Sequence, residues 1–361
     1  MNRPLSRFRP GGKWAAALLA LVLPVQGAVA DYTLVPLGLL GQGLASEAYA
    51  LNDLGEVTGQ STHTLGTEAF VWTPAGGLVG LGLMPGSTLQ DTRGRDINDL
   101  GQVTGYGVSR NGQEAFIWDA VNGIVGLGDL AGGGFEGAGL AINNLGQVVG
   151  WSDTDAGIEA FIWDAHNGML GMGDLPGGIF ESRARDINNA GHVVGLSVEP
   201  GSFGNGFYWT SGSGMAGIGF LPDPPLKTSI ALGINNVGQV VGGSRSPSLE
   251  GFEAFLWDAS NGMIGLGDLP GGRGESYATG INDRAEVVGW SETDLGSEAF
   301  LWTAALGMVR LLDRITDGSA TGWLLTTAND INSRGQIVGA GINPQGRVEA
   351  VLLNPVLPAC P

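Results

Sequence analysis

The sequence contains little of the chemistry that most enzymes use. Its 361 residues include one cysteine, Cys360, and three histidines, His63, His166 and His192, which are far apart and show no metal-ligand spacing. A Gly-x-Ser-x-Gly nucleophile motif is also absent. A single cysteine excludes an internal disulfide, so it can pair only between molecules or stay free. We therefore expect no metal, no cofactor and no identifiable catalytic residue.

Basic residues are scarce as well. The chain has 17 Lys and Arg against 35 Asp and Glu, which gives a net charge of −18. Residues 1–30 hold four of the basic residues and no acidic one, so the charge without them is −22. A protein this acidic repels nucleic acid phosphates and anionic membranes. Neither a nucleic acid partner nor membrane insertion is expected.

The first 30 residues have the pattern of a secretory signal peptide. Basic residues precede an apolar run from Trp14 to Leu23, and small residues, Ala28-Val29-Ala30, follow it. The run is too short to span a bilayer. We predict that cleavage near Ala30 leaves residues 31–361 as one secreted or periplasmic domain.

Glycine, in contrast, is abundant, and its positions are regular. The 65 glycines accompany a segment that recurs seven times at separations of 45 to 50 residues: Ile, or Leu51 in the first copy, then Asn, with Gly three residues after the Asn in every copy except the sixth. Such a period is typical of a repeat architecture. The repeated asparagines are Asn52, Asn98, Asn143, Asn188, Asn235, Asn282 and Asn332.

Each repeat is predicted to form four short strands. In the third repeat they are the segment that ends at Ile142-Asn143, then Gly146–Gly150, Glu159–Trp163 and Met169–Gly173. The last three are apolar at nearly every position, which indicates burial on both faces. Only Gly or Ala stands four residues before each asparagine, as an innermost strand would require. The sequence therefore predicts an all-β, seven-bladed β-propeller of four-stranded blades.

The two ends of the chain complement each other. The Leu-Gly pair of the fourth strand first occurs at Leu37-Gly38, before any Ile-Asn segment, and the last repeat has no fourth strand. We predict that Tyr32–Gly38 is the outer strand of the last blade. This pairing would close the ring without a free sheet edge.

These motifs together resemble those of a known family. Ile-Asn-x-x-Gly-x-Val-Val-Gly, Ala-Phe-x-Trp and Leu-Gly-Asp-Leu-Pro-Gly-Gly are similar to the extracellular HAF repeat family, named for a His-Ala-Phe tripeptide, over essentially all of residues 31–361. The resemblance implies export and a repeated β structure, and it brings no established activity. The histidine of the family is replaced here by Glu68, Glu114, Glu159, Glu253, Glu298, Glu349 and Asn205.

The regular polar positions are interpreted as structural. We expect each repeated asparagine to hydrogen-bond the local backbone, with positive φ at the glycine three residues on. Ala285 occupies that glycine position in the sixth repeat and should cost about 1 kcal/mol. The six glutamates could form an acidic ring, but hydrogen bonds to the adjacent strand are the preferred interpretation, because calcium needs six to eight oxygens close together.

Residues that break the repeat are the candidates for function. They lie in the predicted innermost strands, near the axial channel, and could bind a carboxylate or an acidic sugar. Arg-Asp pairs between blades are the structural alternative. The candidate residues are Arg93, Arg95, Asp96, Arg183, Arg185, Asp186 and Asp330.

Three functions are consistent with this pattern. The first is an exported binding scaffold, expected to be a monomer, for an extracellular glycan or protein. The second is a hydrolase or lyase that acts on polysaccharide, with inner-strand carboxylates as acid and base. The third is a structural component of a surface layer or matrix.

Overall fold

The computed structural model describes residues 31–224, 226–246 and 251–356. The predicted signal peptide and Cys360 lie outside these residues. Within them the chain forms 28 β-strands and one short 3-10 helix, Leu311–Arg314. No helix of this part is long and apolar enough to cross a membrane.

The strands follow one another with short connections. In chain order they are β1 (Tyr32–Gly38), β2 (Ala45–Leu51), β3 (Val57–His63), β4 (Gly66–Thr73), β5 (Gly77–Gly80), β6 (Gln90–Ile97), β7 (Val103–Val108), β8 (Gln113–Asp119), β9 (Gly123–Gly126), β10 (Gly137–Ile142), β11 (Val148–Thr154), β12 (Gly157–Asp164), β13 (Gly168–Gly171), β14 (Ser182–Ile187), β15 (Val193–Ser197), β16 (Asn205–Thr210), β17 (Gly214–Gly219), β18 (Ser229–Ile234), β19 (Val240–Arg245), β20 (Phe252–Asp258), β21 (Gly262–Gly267), β22 (Gly272–Ile281), β23 (Val287–Thr293), β24 (Gly296–Thr303), β25 (Gly307–Arg310), β26 (Leu324–Ile331), β27 (Ile337–Ile342) and β28 (Val348–Pro355). The fold is therefore all-β, as predicted.

The described strands form six sheets, and consecutive strands within each repeat pair antiparallel. Four sheets contain four consecutive strands each, from β10 to β25, and a fifth has the order β1-β28-β27-β26. Strands β2 to β9 make one eight-stranded sheet, because Gly66 and Thr67 of β4 pair in parallel with Gln90 and Asp91 of β6. This short parallel contact joins two four-stranded halves. No sheet in the described part closes on itself.

The N-terminal strand lies beside the C-terminal strand. β1 pairs antiparallel with β28, with Tyr32 opposite Pro355 and Leu34 opposite Leu353. The longer connection between β25 and β26 covers this pair, since Leu311 and Trp323 share an apolar cluster with Tyr32. The pairing is the one expected for residues 32–38.

Adjacent sheets pack face to face through apolar side chains. Val149 of β11, for example, lies in one cluster with Val193 and Phe207 of the next sheet. A fully buried phenylalanine recurs in the third strand of six repeats, at Phe70, Phe116, Phe161, Phe207, Phe255 and Phe300. Both faces of these strands are therefore buried, which explains their continuous apolar sequences.

The first strands of the repeats converge. Each contacts the next, in the order β2, β6, β10, β14, β18, β22 and β26, and β26 contacts β2. Space between them is small, because a Cβ atom on Gly94 would meet Thr58 Oγ1 at 2.3 Å and one on Gly139 would meet Thr104 Oγ1 at 2.4 Å. This close approach requires glycine at these two positions, and the alanines at the same position of the other five repeats are fully buried, so a larger side chain has no room there.

Candidate ligand-binding channel

The repeated asparagines form a hydrogen-bond network where the first strands end. Asn143 Oδ1 accepts the backbone N–H groups of Leu145 and Gln147, both at 3.0 Å. Its Nδ2 donates to the carbonyl of Asn188 in the next repeat at 3.1 Å. The predicted local hydrogen bonds are confirmed, and the bond to the following repeat is an additional finding.

The same bond to the next repeat occurs at every repeat. Asn332 Nδ2, in the last, donates to the Asn52 carbonyl in the first at 3.0 Å. All seven asparagines line a cavity of about 180 Å³ at this end of the channel. The asparagine side chains already hold the backbone, and the polar residues directly after them, among them Asp53, Asp99 and Asp283, also line this cavity.

The turn geometry at Ala285 agrees with the prediction. Its φ is 58°, in the left-handed region, and the glycine at the same position of the third repeat, Gly146, has φ 74°. Ala285 N–H donates to the Asn282 carbonyl at 3.0 Å. The sixth turn thus keeps its conformation despite the Cβ atom.

A second cavity, of about 370 Å³, adjoins the first. The aliphatic residues directly before the repeated asparagines lie between the two cavities. Ile234, Ile281 and Asp330 line both cavities. We call the second cavity the inner channel. Its polar lining consists of Tyr49, Arg95, Asp96, Arg185, Asp186, Thr279, Asn329 and Asp330. Five of the seven residues predicted from the sequence are therefore brought together here.

The two remaining candidates, Arg93 and Arg183, are not among the lining residues. Arg93 Nη2 lies 3.2 Å from Asp91 Oδ1, and Arg183 Nη1 lies 2.6 Å from Glu181 Oε1. Each therefore pairs with an acid two residues away on its own chain segment. Their guanidinium groups also lie over aromatic rings, those of Tyr106 and Trp151.

The three aspartates of the inner channel bridge neighbouring repeats. Asp186 Oδ1 accepts the N–H of Ile187 at 2.7 Å, and its Oδ2 accepts the N–H of Ile234 in the next repeat at 2.8 Å. Asp96 holds Ile97 and Ile142 in the same way. Asp330 holds Ile331 and, across the chain ends, Leu51 at 3.1 Å. Both oxygens of each carboxylate thus accept a backbone hydrogen bond.

Burial changes the protonation of these carboxylates. Each keeps some access to the inside of the channel but is enclosed by protein. The resulting desolvation raises the pKa of Asp186 and of Asp330 to about 6 and holds the pKa of Asp96 well above its usual range. The charge of Asp186 raises the pKa of Asp96 further. The three acids therefore share one enclosed space.

The two arginines of the inner channel lack acidic partners. Neither Arg95 nor Arg185 lies within ion-pair distance of a carboxylate in the described part of the chain. The Arg95 guanidinium lies 4.1 Å from the centre of the Tyr49 ring. Arg185 Nε is buried without a hydrogen-bond partner, and desolvation, with the charges of Arg95 and Arg183, lowers the pKa of Arg185. Among the residues that the structure describes, neither arginine forms the Arg-Asp pair between repeats that the structural alternative required.

The glutamates that replace the family histidine have local partners. Glu114 Oε1 accepts the N–H of Gly128 at 3.1 Å, and Glu159 Oε1 accepts that of Gly173 at 2.9 Å. Glu298 instead pairs with Arg310 at 2.8 Å. These contacts agree with the hydrogen-bond interpretation. The described residues contain no group of three or more His, Cys, Asp or Glu placed to hold a metal ion.

Sequence reasoning missed Tyr49, Thr279 and Asn329 as lining residues. All three stand three residues before a repeated asparagine, the position that Arg95 and Arg185 occupy in their own repeats. Across the seven repeats this position holds five different residue types, with Arg in two repeats and Leu in two. The variability of this position was the signal that would have identified all seven of its residues as lining residues.

No protein-family model matches the chain, and no curated protein sequence is similar to it. Among solved structures, streptogramin B lyase is similar with a TM-score of 0.55 at 12% identity, over 90% of this chain and 98% of that chain. TolB from Acinetobacter baumannii has a TM-score of 0.48 at 13% identity, over 88% of this chain and 65% of that chain. A gluconolactonase from Xanthomonas campestris has 0.44 at 11%, over 97% and 100%.

Identities this low concern the fold alone. The similarity to streptogramin B lyase extends over nearly the full length of both chains. The repeated four-stranded units and their converging first strands agree with it. The protein is therefore an all-β protein of the β-propeller type.

Proposed function

We propose that this protein is an exported, closed seven-bladed propeller of the HAF repeat family that binds an anionic ligand in its inner channel. The closed ring is supported by the contact of β26 with β2, the pairing of β1 with β28 and the bond from Asn332 to Asn52. Export is supported by the sequence of residues 1–30, and family membership by the repeated motifs.

The observation that carries the binding proposal is the pair of arginines without acidic partners, Arg95 and Arg185. A guanidinium group that is enclosed and unpaired is costly, and a carboxylate of a ligand would compensate for that cost. The planar guanidinium also suits two-point recognition of a carboxylate. A small organic acid or a uronic acid residue of a glycan fits this chemistry and the channel volume.

The test is an array of uronic-acid oligosaccharides, matched neutral oligosaccharides and simple carboxylates, probed with residues 31–361. Acidic probes should bind and neutral ones should not. Arg95→Gln and Arg185→Gln should each weaken binding at least about tenfold, the loss of one charge-assisted contact. Arg93→Gln and Arg183→Gln are matched controls and should leave binding nearly unchanged. Equal binding of neutral probes, or intact binding by both channel variants, would overturn the proposal.

A catalytic alternative is favoured by one observation. Asp96, Asp186 and Asp330 share a channel and have raised pKa values, as a general acid requires. Against it, both oxygens of each carboxylate already hold backbone amides. Product release measured on the same array, and its loss in Asp186→Asn, would support catalysis. Silence across the array would overturn both ligand-directed proposals and leave the structural role.

A further inference from the structure

Seven backbone N–H groups point into the channel at equivalent positions, one from each repeat. They belong to the residue directly before each repeated asparagine. Six of them donate to an aspartate oxygen: those of Leu51, Ile97, Ile142, Ile187, Ile234 and Ile331. Each aspartate serves its own repeat and the next, so three aspartates supply six acceptors.

The seventh group, the N–H of Ile281, cannot be served in this way. The residue before it is Gly280, and the equivalent residue of the preceding repeat is Gly233. Neither has a side chain that could accept a hydrogen bond. Each aspartate accepts the N–H groups of two repeats, so three aspartates accept six of the seven N–H groups and the seventh has no aspartate acceptor of this kind.

The direction of the Ile281 N–H follows from the sheet. Asn282 N–H donates to the Glu286 carbonyl at 3.1 Å, and Ile281 lies opposite Val287. Because hydrogen-bonded and non-hydrogen-bonded pairs alternate in an antiparallel ladder, the amide of Ile281 points away from β23. The side it faces is the inner channel, which both Gly280 and Ile281 line.

We propose that a carboxylate of the ligand binds the N–H of Ile281, in the manner in which the three aspartates bind the other six. The inference rests on the proposed anion-binding function. It assigns a binding partner to the end of the ligand that lies deepest in the channel. The same backbone conformation binds a carboxylate oxygen at six equivalent positions, at 2.7 to 3.1 Å. Arg95 and Arg185 line the same cavity and supply the positive charge.

Amide NMR tests the assignment directly. ¹⁵N-labelled protein, residues 31–361, is titrated with sodium acetate and with sodium glucuronate, and sodium sulfate serves as a second anion. The Ile281 amide proton should shift in a saturable manner with both carboxylates. The amides of Ile142 and Ile234, which already donate to Asp96 and Asp186, should move much less. Sulfate should shift Ile281 less than acetate at equal concentration.

A variant provides the second test. Gly233→Asp places a carboxylate in the relation to Ile281 that Asp186 has to Ile234. A Cβ atom at Gly233 meets the Thr279 carbonyl at 3.1 Å, so a small backbone shift is required. Leu140→Asp is the matched control, since it adds the same charge to the channel lining elsewhere. Glucuronate affinity should fall at least tenfold in Gly233→Asp and less than threefold in Leu140→Asp.

The outcomes separate this inference from the proposed function. If Arg95→Gln and Arg185→Gln abolish glucuronate binding but the Ile281 amide does not shift, the ligand binds in the channel and this assignment is wrong. If neither acetate nor glucuronate binds the wild-type protein, both are wrong. Where Gly233→Asp does not fold, as judged by circular dichroism, the NMR titration of the wild-type protein alone decides.

Discussion

The sixth repeat keeps the backbone conformation of the turn although an alanine replaces its glycine. Ala285 has φ 58° where the other repeats have glycine. Since an L side chain in this region costs about 1 kcal/mol, Ala285→Gly should stabilise the protein by about that amount. Urea unfolding measures the free energy of unfolding.

Gly146→Ala is the matched reverse change in the third repeat. Its Cβ atom would lie 3.4 Å from Gln102 Oε1, which is ordinary contact, so only the conformational cost should appear. It should lose about the same 1 kcal/mol. A lower stability of Ala285→Gly would show that the alanine makes a favourable contact that outweighs its backbone strain.

Asp330 should make stability depend on pH. Its pKa is about 6 in the folded protein and near 3.9 when unfolded, so the folded state binds more protons between these values. Its contribution is fully present below about pH 4 and is lost as the pH rises to about 6. Relative to Asp330→Asn, which does not titrate, wild-type stability should fall by up to about 3 kcal/mol as the pH rises from below 4 to above 6.

Urea unfolding of both proteins at pH 4, 5, 6 and 7 measures this difference. Carboxylates outside the inner channel titrate alike in both proteins and cancel in the comparison, whereas the Asp330 charge also raises the pKa values of Asp96 and Asp186, so the difference includes their response to the change. A difference that stays constant from pH 4 to 7 would mean that the Asp330 carboxyl is well solvated in the folded protein.

For single residues, the sequence was sufficient to select the candidates for function but not to predict which residues they contact. The charged residues that break the repeat were found, and five of them line one cavity. Their partners were not predictable, because a bond such as that from Leu51 to Asp330 joins residues 279 positions apart. Arg93 and Arg95 are close in the sequence, yet only one of them lines the channel.

At the scale of elements, serines fasten four of the seven first strands to the sheet before them, namely Ser46 in β2, Ser182 in β14, Ser229 in β18 and Ser276 in β22, and Thr92 does the same for β6. Ser182 Oγ donates to the Gly173 carbonyl at 2.8 Å and accepts the Ala160 N–H at 3.0 Å. It is fully buried, so Ser182→Ala leaves a buried donor and acceptor unsatisfied and should cost about 1–3 kcal/mol. Ser260→Ala, at an exposed position, should cost less than about 0.5 kcal/mol. Thermal and urea unfolding check both, and equal effects of the two changes would contradict the fastening role.

Strand existence was predictable from the repeat, whereas strand ends were not. The second strand of the third repeat was predicted at 146–150 and is Val148–Thr154. The additional residues at the end of the strand are polar and pair with β12 close to the hairpin turn. A search for apolar residues could not detect them. The 3-10 helix at Leu311–Arg314 was also missed, because the regular turn sequence is absent there.

At the scale of the whole molecule, the ring proposal makes the junction of the chain ends equivalent to any internal junction. Asn332 donates to Asn52 at 3.0 Å across the ends, as Asn188 donates to Asn235 at 3.1 Å within the chain. Each side chain also accepts two local N–H groups. The repeat spacing predicted that neighbouring repeats contact each other. It could not predict the contact between the last and the first repeat, because an open array and a closed ring have the same period.

Asn332→Ala should therefore destabilise the protein at least as much as Asn188→Ala, each by at least about 2 kcal/mol, since each removes several buried hydrogen bonds and Asn332 also donates to Gln336 Oε1 at 2.9 Å. Both should keep a single cooperative urea transition, because a closed ring opens as one unit whereas an open repeat array frays from its ends. A much smaller loss in Asn332→Ala than in Asn188→Ala would show that the first and last repeats do not hold each other in solution. The two changes remove the same side chain from equivalent turns, and Asn332 alone has an additional bond to Gln336, so a smaller loss in Asn332→Ala reports on the junction of the chain ends.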